Sequence, residues 1–266
     1  MSSPPNSREW NAADYHRLSA PQFYWGQRVL SELHLRGDEC VLDAGCGTGR
    51  LTQLLLENLP QGRVVGLDVS RNMAMHAQSD LRPAFGERAQ FVVADLVSLP
   101  FRDAFDGIFS TASFHWVLDH DVLFRNLFAA LRPGGWLHAQ CGGGSNVLRL
   151  RQRARTLSQT LAFASWLADF PEPWYFSDAE SAGNRLRATG FEQVRAELET
   201  AHVTVSSSEE FQDYLRTFVL HRHLERLPSE TQRTQYVQEL AAASANDDPP
   251  WTLDYCRLNL RAYKPL

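Results

Sequence analysis

The stretch Val41 to Gly49, V-L-D-A-G-C-G-T-G, constrains this chain more than any other, because it ends an apolar run on one carboxylate and three alternating glycines. Cys40 to Leu42 is short and apolar, as a buried parallel strand requires. The segment Arg50 to Leu59 then repeats Leu51, Leu54, Leu55 and Leu59 at helical spacing. The glycines therefore sit in a tight strand-to-helix turn, where a missing Cβ permits positive φ and lets a ligand reach the main chain.

What the turn lacks narrows the ligand. A dinucleotide fingerprint needs G-x-G-x-x-G, but after Gly45 and Gly47 the third position is Arg50, and glycine comes one place early at Gly49. Asp43 argues the same way, since a carboxylate beside the turn repels a pyrophosphate; two unit charges 4 Å apart interact by roughly 4 kcal/mol at an intermediate dielectric. A cationic ligand without phosphate suits it, and S-adenosylmethionine, with its sulfonium and ammonium, is one. At this point the sequence resembles the class I (Rossmann-fold) S-adenosylmethionine-dependent methyltransferases, whose first motif is matched by Asp43, Gly45, Gly47 and Gly49.

Further stations follow in order. Val64 to Leu67 is a second apolar strand ending in Asp68, about twenty residues past the turn, where a carboxylate can accept both ribose hydroxyls. Phe91 to Ala94 leads to Asp95 and Leu96, and in the resembled family this aspartate lies by the adenine amino group. Phe105 to Phe109 reads as the fourth strand, Leu131 to Gly135 as a helix end and turn, and Trp136 to Cys141 as the fifth strand. Taken singly, Asp68 or Asp95 is a turn former or helix cap. In order and together they imply a doubly wound, mostly parallel α/β sheet with the ligand at the strands' carboxyl ends.

With 266 residues and 44% hydrophobic content, the chain suffices for one substantial core. The expected plan is a single domain over 1–266, its sheet built from about 36–145, 177–205 and 251–264, and its helical cap from 1–35, 146–176 and 206–250. Net charge is −5, and Lys264 is the sole lysine among 26 basic residues, so no broad basic field invites nucleic acid. Cys40, Cys46, Cys141 and Cys256 have neither C-x-x-C nor zinc spacing, which fits a reduced, cytoplasmic chain without a metal site. No leader-like apolar segment follows the polar N-terminus, and no run approaches the ~18 apolar residues of a membrane span. The expected state is a monomer or homodimer with no membrane partner.

Outside the sheet, Trp10 and Tyr15 precede Phe23, Tyr24 and Trp25, after which a helix runs through Val29, Leu30 and Leu33. Asn146 to Phe170 is helical by pattern, and Arg149, Arg151, Arg153 and Arg155 spread around it as a solvated surface. Ser177 to Thr189 is a helix ended by Gly190, and Phe191 to Val205 a strand. Ser207 and Glu210 form a capping box before an amphipathic helix through Phe211, Tyr214, Leu215, Phe218 and Val219. A helix from about Thr231 to Ala243 follows, then a strand from Thr252 to Tyr263 whose alternation shifts near Cys256, as at a bulge. Both insertions are expected to roof the sheet's carboxyl edge.

The W-N-x-x-x-Y opening, Ser113 to His120 (S-F-H-W-V-L-D-H), the L-R-P-G-G turn and the stretch Leu224 to Leu227 resemble the trans-aconitate methyltransferase family over nearly the full chain. The resemblance implies a cofactor held by Asp43, Gly45, Cys46, Gly47, Gly49, Asp68, Val69, Met73, Asp95, Leu96 and Ser110 and covered by Tyr15. It also implies a small-molecule acceptor, a carboxylic acid, near Trp10, Trp25, Trp116, Cys141 and Arg222. Arg222 is the candidate for binding carboxylates, in bidentate geometry. The glycine-rich Cys141 to Asn146 loop and the surrounding aromatics leave an apolar or aromatic acceptor (carbon, nitrogen or phenolic oxygen) open as the alternative, and a non-catalytic S-adenosylmethionine-binding module as another. A carboxylate needs no general base. For other acceptors His115, just past the fourth strand, is the candidate.

Overall fold

The computed structural model describes residues 20–266, so Trp10 and Tyr15 lie outside the described residues. Strands β1 (Cys40–Ala44), β2 (Arg63–Asp68), β3 (Ala89–Val93), β4 (Phe105–Thr111), β5 (Leu131–Gly142), β6 (Glu192–Thr204) and β7 (Thr252–Tyr263) form one sheet in the order β3-β2-β1-β4-β5-β7-β6. β1 pairs in parallel with β2 on one side and β4 on the other, β2 with β3, and β4 with β5. Strand order reverses between β1 and β4, and such a switch point opens a crevice at the strands' carboxyl ends.

Helices α1 (Ala20–Ser31), α2 (Arg50–Asn58), α3 (Arg71–Phe85), α4 (His120–Ala130) and α7 (Ala179–Thr189) accompany the strands. Every residue of β1 is buried, as a central strand covered on both faces must be. Successive side chains go to opposite cores: Val41 joins Leu55, Leu56, Leu59, Val64 and Phe109, whereas Leu42 joins Phe105, Ile108, Leu123, Leu127 and Leu186. Side-chain caps start several helices: Ser70 accepts the Met73 N–H for α3, Asp119 that of Val122 for α4, and Asp178 that of Ser181 for α7. Gly190, at φ 110°, closes α7 as the sequence indicates.

The chain divides into two compact units. The first holds the residues up to Gly144, Tyr175–Leu198 and Leu258–Leu266; the second holds Ser145–Trp174 and Glu199–Arg257. The second contains α5 (Leu148–Ser158), α6 (Ala164–Leu167), α8 (Ser208–Tyr214), α9 (His221–Arg226) and α10 (Glu230–Ser244). Its arginines meet acidic partners in i,i+4 pairs. Arg151 and Arg155 share Glu172, at 2.5 and 2.6 Å, and Arg149 and Arg153 share Asp247, at 3.4 and 2.6 Å.

Four elements differ from the sequence reading. Phe23, Tyr24 and Trp25 lie inside α1 and do not precede it. Leu131 caps α4, as the sequence indicates, but it already pairs with Phe105, so the L-R-P-G-G turn lies inside β5 as an irregularity: the register jumps from Phe105–Leu131 to Gly107–Trp136. The helix expected over Asn146 to Phe170 breaks between α5 and α6, where Phe163 is fully buried with its ring edge-on to Tyr236 at 5.0 Å. The amphipathic segment from Phe211 to Val219 starts as α8 and widens into a π turn over Leu215–Val219, with the Leu220 N–H donating to the Leu215 carbonyl. That wider turn keeps all five apolar residues buried. The Glu210 carboxylate accepts from Ser206, so the reciprocal half of the capping box falls one residue before Ser207.

Candidate active site

The glycine turn is built by β2. Gly45 and Cys46 both donate N–H bonds to the Leu67 carbonyl, at 2.7 and 3.0 Å, and the Gly49 N–H closes onto the Cys46 carbonyl at 3.0 Å. Two glycines are required by geometry. Gly45 has φ 88°, and a Cβ there would collide with the Ser113 side chain. Gly49 has φ 85°, and its Cβ would stand 2.9 Å from both Ala77 and Leu81 of α3. The Asp68 carboxylate braces the turn further: one oxygen accepts the Gly47 N–H at 2.9 Å and the other the Ser70 N–H at 2.8 Å.

Around this turn lies a cavity of about 330 Å³, lined by Gly45, Gly47, Leu67, Asp68, Val69, Met73, Ala94, Asp95, Leu96, Val97, Thr111, Ala112, Ser113, Trp116, Val117, Leu118 and Asp119. A smaller cavity of about 50 Å³ shares Gly45, Gly47, Thr111 and Ala112 and adds Gln22, Phe23, Asp43, Cys46, Thr48, Arg50 and Leu51. Among the described residues the larger wall carries three carboxylates and no lysine or arginine. Arg50, the one cation of the smaller wall, stacks on the Phe23 ring with its guanidinium carbon 3.9 Å from the centroid. An acidic cavity with apolar flanks and main chain exposed at glycine rejects pyrophosphate. It fits a cationic nucleoside such as S-adenosylmethionine.

Asp43 is the most perturbed of these acids. Burial raises its carboxyl to about 7, against the lowering effect of the Thr52 hydroxyl, which donates to it at 2.6 Å, while the nearby Asp68 charge adds to the rise. Burial also pushes the Cys46 thiol well above its ordinary value, with Asp68 and Asp43 adding to the effect, so Cys46 is a wall and not a nucleophile. Asp95 keeps its plain structural role, accepting the Val97 N–H at 3.1 Å, and lines the cavity as well.

The structure thus gathers Gly45, Gly47, Asp68, Val69, Met73, Asp95, Leu96 and Trp116 on one wall and Asp43 and Cys46 on the adjoining one. Gly49 stands behind the turn against α3. Ser110 does not line either cavity: it is buried and donates its hydroxyl to the Ala44 carbonyl at 2.6 Å, joining the ends of β1 and β4. The cavity instead takes Thr111, Ala112 and Ser113, and Ala112 has φ 54°, a conformation its residue type does not announce. Val97 and the run Val117 to Asp119 also escaped the sequence reading. Trp25 is half-buried on α1.

Cys141 is fully buried in the core of the first unit. The neighbouring glycines do not open space for an acceptor: a Cβ on Gly143 would meet Leu258 and the Ser177 carbonyl, so backbone packing demands glycine there. Arg222 belongs to the second unit and pairs with Glu225 at 3.0 Å. His115 is buried in the first unit, its Nδ1 accepting the Gly142 N–H at 3.2 Å and its ring stacked on Phe176 at 5.7 Å.

Comparison with known proteins agrees with this geometry. The methyltransferase domain family matches residues 41–135. A trans-aconitate 2-methyltransferase of Paracidovorax citrulli is 35% identical over 160 residues, covering 59% of this chain and 58% of that one, and another from Variovorax paradoxus is 37% identical over 133 residues, covering 50% and 49%. These matches span about half the length of those relatives. An uncharacterized methyltransferase of Schizosaccharomyces pombe is 26% identical over 96% of this chain and 98% of its own. Among solved structures, Haemonchus contortus phosphoethanolamine N-methyltransferase 2 in complex with S-adenosyl-L-methionine superposes with a TM-score of 0.62 at 19% identity, over 96% of this chain and 57% of that one; at that identity the likeness is one of fold. The domain match and these relatives support a class I S-adenosylmethionine-dependent methyltransferase that resembles the trans-aconitate methyltransferase family.

Proposed function

We propose that this protein transfers the methyl group of S-adenosylmethionine to a carboxylate oxygen of a small polycarboxylic acid. The observation that carries the reading is that each carboxylate on the larger cavity wall already accepts a backbone N–H: Asp68 from Gly47 and Ser70, Asp95 from Val97, Asp119 from Val122. Among the described residues that wall carries no histidine, lysine or tyrosine. Such a wall offers no committed proton acceptor, and a carboxylate is a nucleophile that needs none. The likeness to trans-aconitate 2-methyltransferases supports the same acceptor class.

The cofactor, when bound, supplies an electrophilic methyl group on a sulfonium whose departure leaves a neutral thioether. Asp68 has lone pairs left for the ribose hydroxyls, Asp95 for the adenine amino group, and Leu67, Val69, Met73, Leu96 and Val97 give the flat apolar walls an adenine requires. Asp43 lies in the buried part of the turn and offsets the positive charge. As the new O–C bond forms and the S–C bond breaks, carboxylate and sulfonium charges cancel and no proton is released. The protein's task is therefore to align the partners and exclude water, and alignment alone supplies some 7 to 11 kcal/mol.

We further propose a cytoplasmic setting with no nucleic-acid partner, supported by four free, buried cysteines and the net negative charge. Among the described residues no helix is long and apolar enough to cross a membrane. The test is incubation with methyl-labelled cofactor and a panel holding trans-aconitate, shorter diacids, a phenol and an amine. Label in an alkali-labile ester of an acid is the expected outcome. Label confined to an alkali-stable product of the phenol or amine would overturn the acceptor class.

A further inference from the structure

Ser110 and Thr111 end β4 and Ser113 follows it, so three hydroxyls stand close together in the chain, and only the first is committed within the fold, to the Ala44 carbonyl. Thr111 and Ser113 line the larger cavity, and among the described residues neither hydroxyl has a hydrogen-bond partner. Ser113 is the sharper case. It stands at the N-cap of the short 3₁₀ turn Phe114–Trp116, where a serine oxygen ordinarily accepts a backbone N–H, yet its side chain makes no cap bond; the Trp116 N–H goes to its carbonyl instead, at 3.0 Å. Its Oγ lies against the glycine turn, where a Cβ on Gly45 would stand 2.2 Å from it. Between the two hydroxyls Ala112 takes φ 54°, uncommon for a residue with a Cβ, and its N–H is fixed on the Gln140 carbonyl of β5 at 2.8 Å. Backbone strain held in place at a cavity wall points to a function there.

The wall's ionised groups cannot hold a negative charge. Its three carboxylates only accept, and besides the Trp116 indole the two hydroxyls are the side-chain donors that it has among the described residues. We propose that Thr111 and Ser113 form the subsite for the acceptor's reacting carboxylate, each donating its hydroxyl proton to the oxygen that is not methylated and leaving the other oxygen's lone pair turned to the methyl carbon. This role rests on the carboxylate reading above and adds to it the residues that hold the acid. Neutral donors match the charge flow of that reaction. Carboxylate charge disappears as the ester forms, so a fixed cation would hold the ground state more tightly than the transition state, whereas hydroxyls orient the oxygen with less of that penalty. They also select against amines. A neutral amine has a single lone pair, the attacking one, and a hydrogen bond from either hydroxyl would occupy it.

The test compares the full-length parent with Ser113→Ala, Thr111→Val and the conservative Thr111→Ser. Calorimetry follows trans-aconitate, or the shorter diacid that takes up more label, binding to protein saturated with S-adenosylhomocysteine, and turnover with S-adenosylmethionine gives KM and kcat for the same acid. Loss of either hydroxyl should weaken acid binding and raise KM about tenfold, the effect of one hydrogen bond to a charged group, while S-adenosylhomocysteine affinity and melting temperature stay near parental. Thr111→Ser keeps its hydroxyl and should stay close to the parent. Parental KM in both Ser113→Ala and Thr111→Val overturns the subsite, as does an equal loss in Thr111→Val and Thr111→Ser. A loss of S-adenosylhomocysteine affinity as large as the loss for the acid would assign the hydroxyls to the cofactor's own carboxylate and overturns it too. All three results leave the carboxylate reading standing, because ester formation is scored separately. Label found only in the phenol or amine product brings down both.

Discussion

Asp68 shows how one residue can serve a scaffold and a ligand together. Its two oxygens already hold Gly47 and Ser70, so Asp68→Ala should weaken S-adenosylmethionine binding at least tenfold, by loosening the turn as well as by removing the ribose acceptor, with thermal stability nearly parental. Isothermal calorimetry and a melting curve on the same sample check both halves. Asp43 makes a subtler prediction. Its carboxyl stands at about 7 when no cation is near, and a bound sulfonium favours the charged form, so binding below that pH must release a proton. Affinity should rise with pH up to about 7 and then level, and the calorimetric enthalpy at pH 6.5 should vary with the ionisation heat of the buffer. Asp43→Asn, which retains an acceptor for the Thr52 hydroxyl, should lose that buffer dependence. The carboxylates at 43, 68 and 95 were legible in the sequence because their types and spacings carry the chemistry. Ser110, expected beside the cofactor from the family resemblance alone, has its hydroxyl on the Ala44 carbonyl, a bond between strands far apart in sequence, and lines neither cavity.

At the scale of elements, the strand-turn-helix unit depends on contacts from β4's far end. Gly45→Ala would force a left-handed backbone on a residue with a Cβ and drive that Cβ into Ser113, at a cost of roughly 1 to 3 kcal/mol. Denaturant unfolding should show that loss together with weakened cofactor binding, and Ser113→Gly in the same chain should recover part of both; independent, additive effects would contradict the packing argument. In the second unit, Glu172 is held below the ordinary carboxylate range although burial alone would raise it, because Arg151 and Arg155 both donate to it. Glu172→Gln should therefore cost on the order of 1 kcal/mol in denaturant midpoints, a modest loss because Arg155 is largely exposed. The sequence placed these four arginines around the helix by spacing alone. It did not reveal that positions four apart would share one acid, since Glu172 and Asp247 arrive from separate segments.

Across the whole molecule, three buried histidines set the acid limit. Burial lowers His120, His138 and His223 each to about 4, well under the usual imidazole value of 6.5. Between pH 6.5 and 4 the unfolded chain therefore takes up three protons that the folded chain refuses. Asp43 works in the opposite sense, since the folded chain protonates it below about 7 and the unfolded chain only near 3.8. The difference is about two protons in favour of the unfolded state, so stability should fall as pH drops through this window by roughly 2 to 3 kcal/mol per pH unit. Urea midpoints at pH 7, 6 and 5 check the slope, and a flat or rising series would refute it. His223→Phe, set among Phe170, Trp174 and Tyr236, should reduce the slope if it folds as the parent does.

The sequence by itself determined the strand-turn-helix unit, the order of the acidic stations and the ligand's sign of charge, because these depend on residues close in the chain: glycines that permit positive φ, apolar runs of strand length, and carboxylates at strand ends. It also gave the bounds of β7 and the Gly190 cap, where periodicity and turn chemistry are local. Only the tertiary structure decided which residues complete the cavity wall, why Gly143 must lack a side chain, where the 211–219 helix widens, and which backbone amide His115 Nδ1 faces. Each of those follows from a group brought close by folding (Ser177 and Leu258 at Gly143, the Gly142 amide at His115), and no periodicity encodes a contact between segments that meet only once the sheet is assembled.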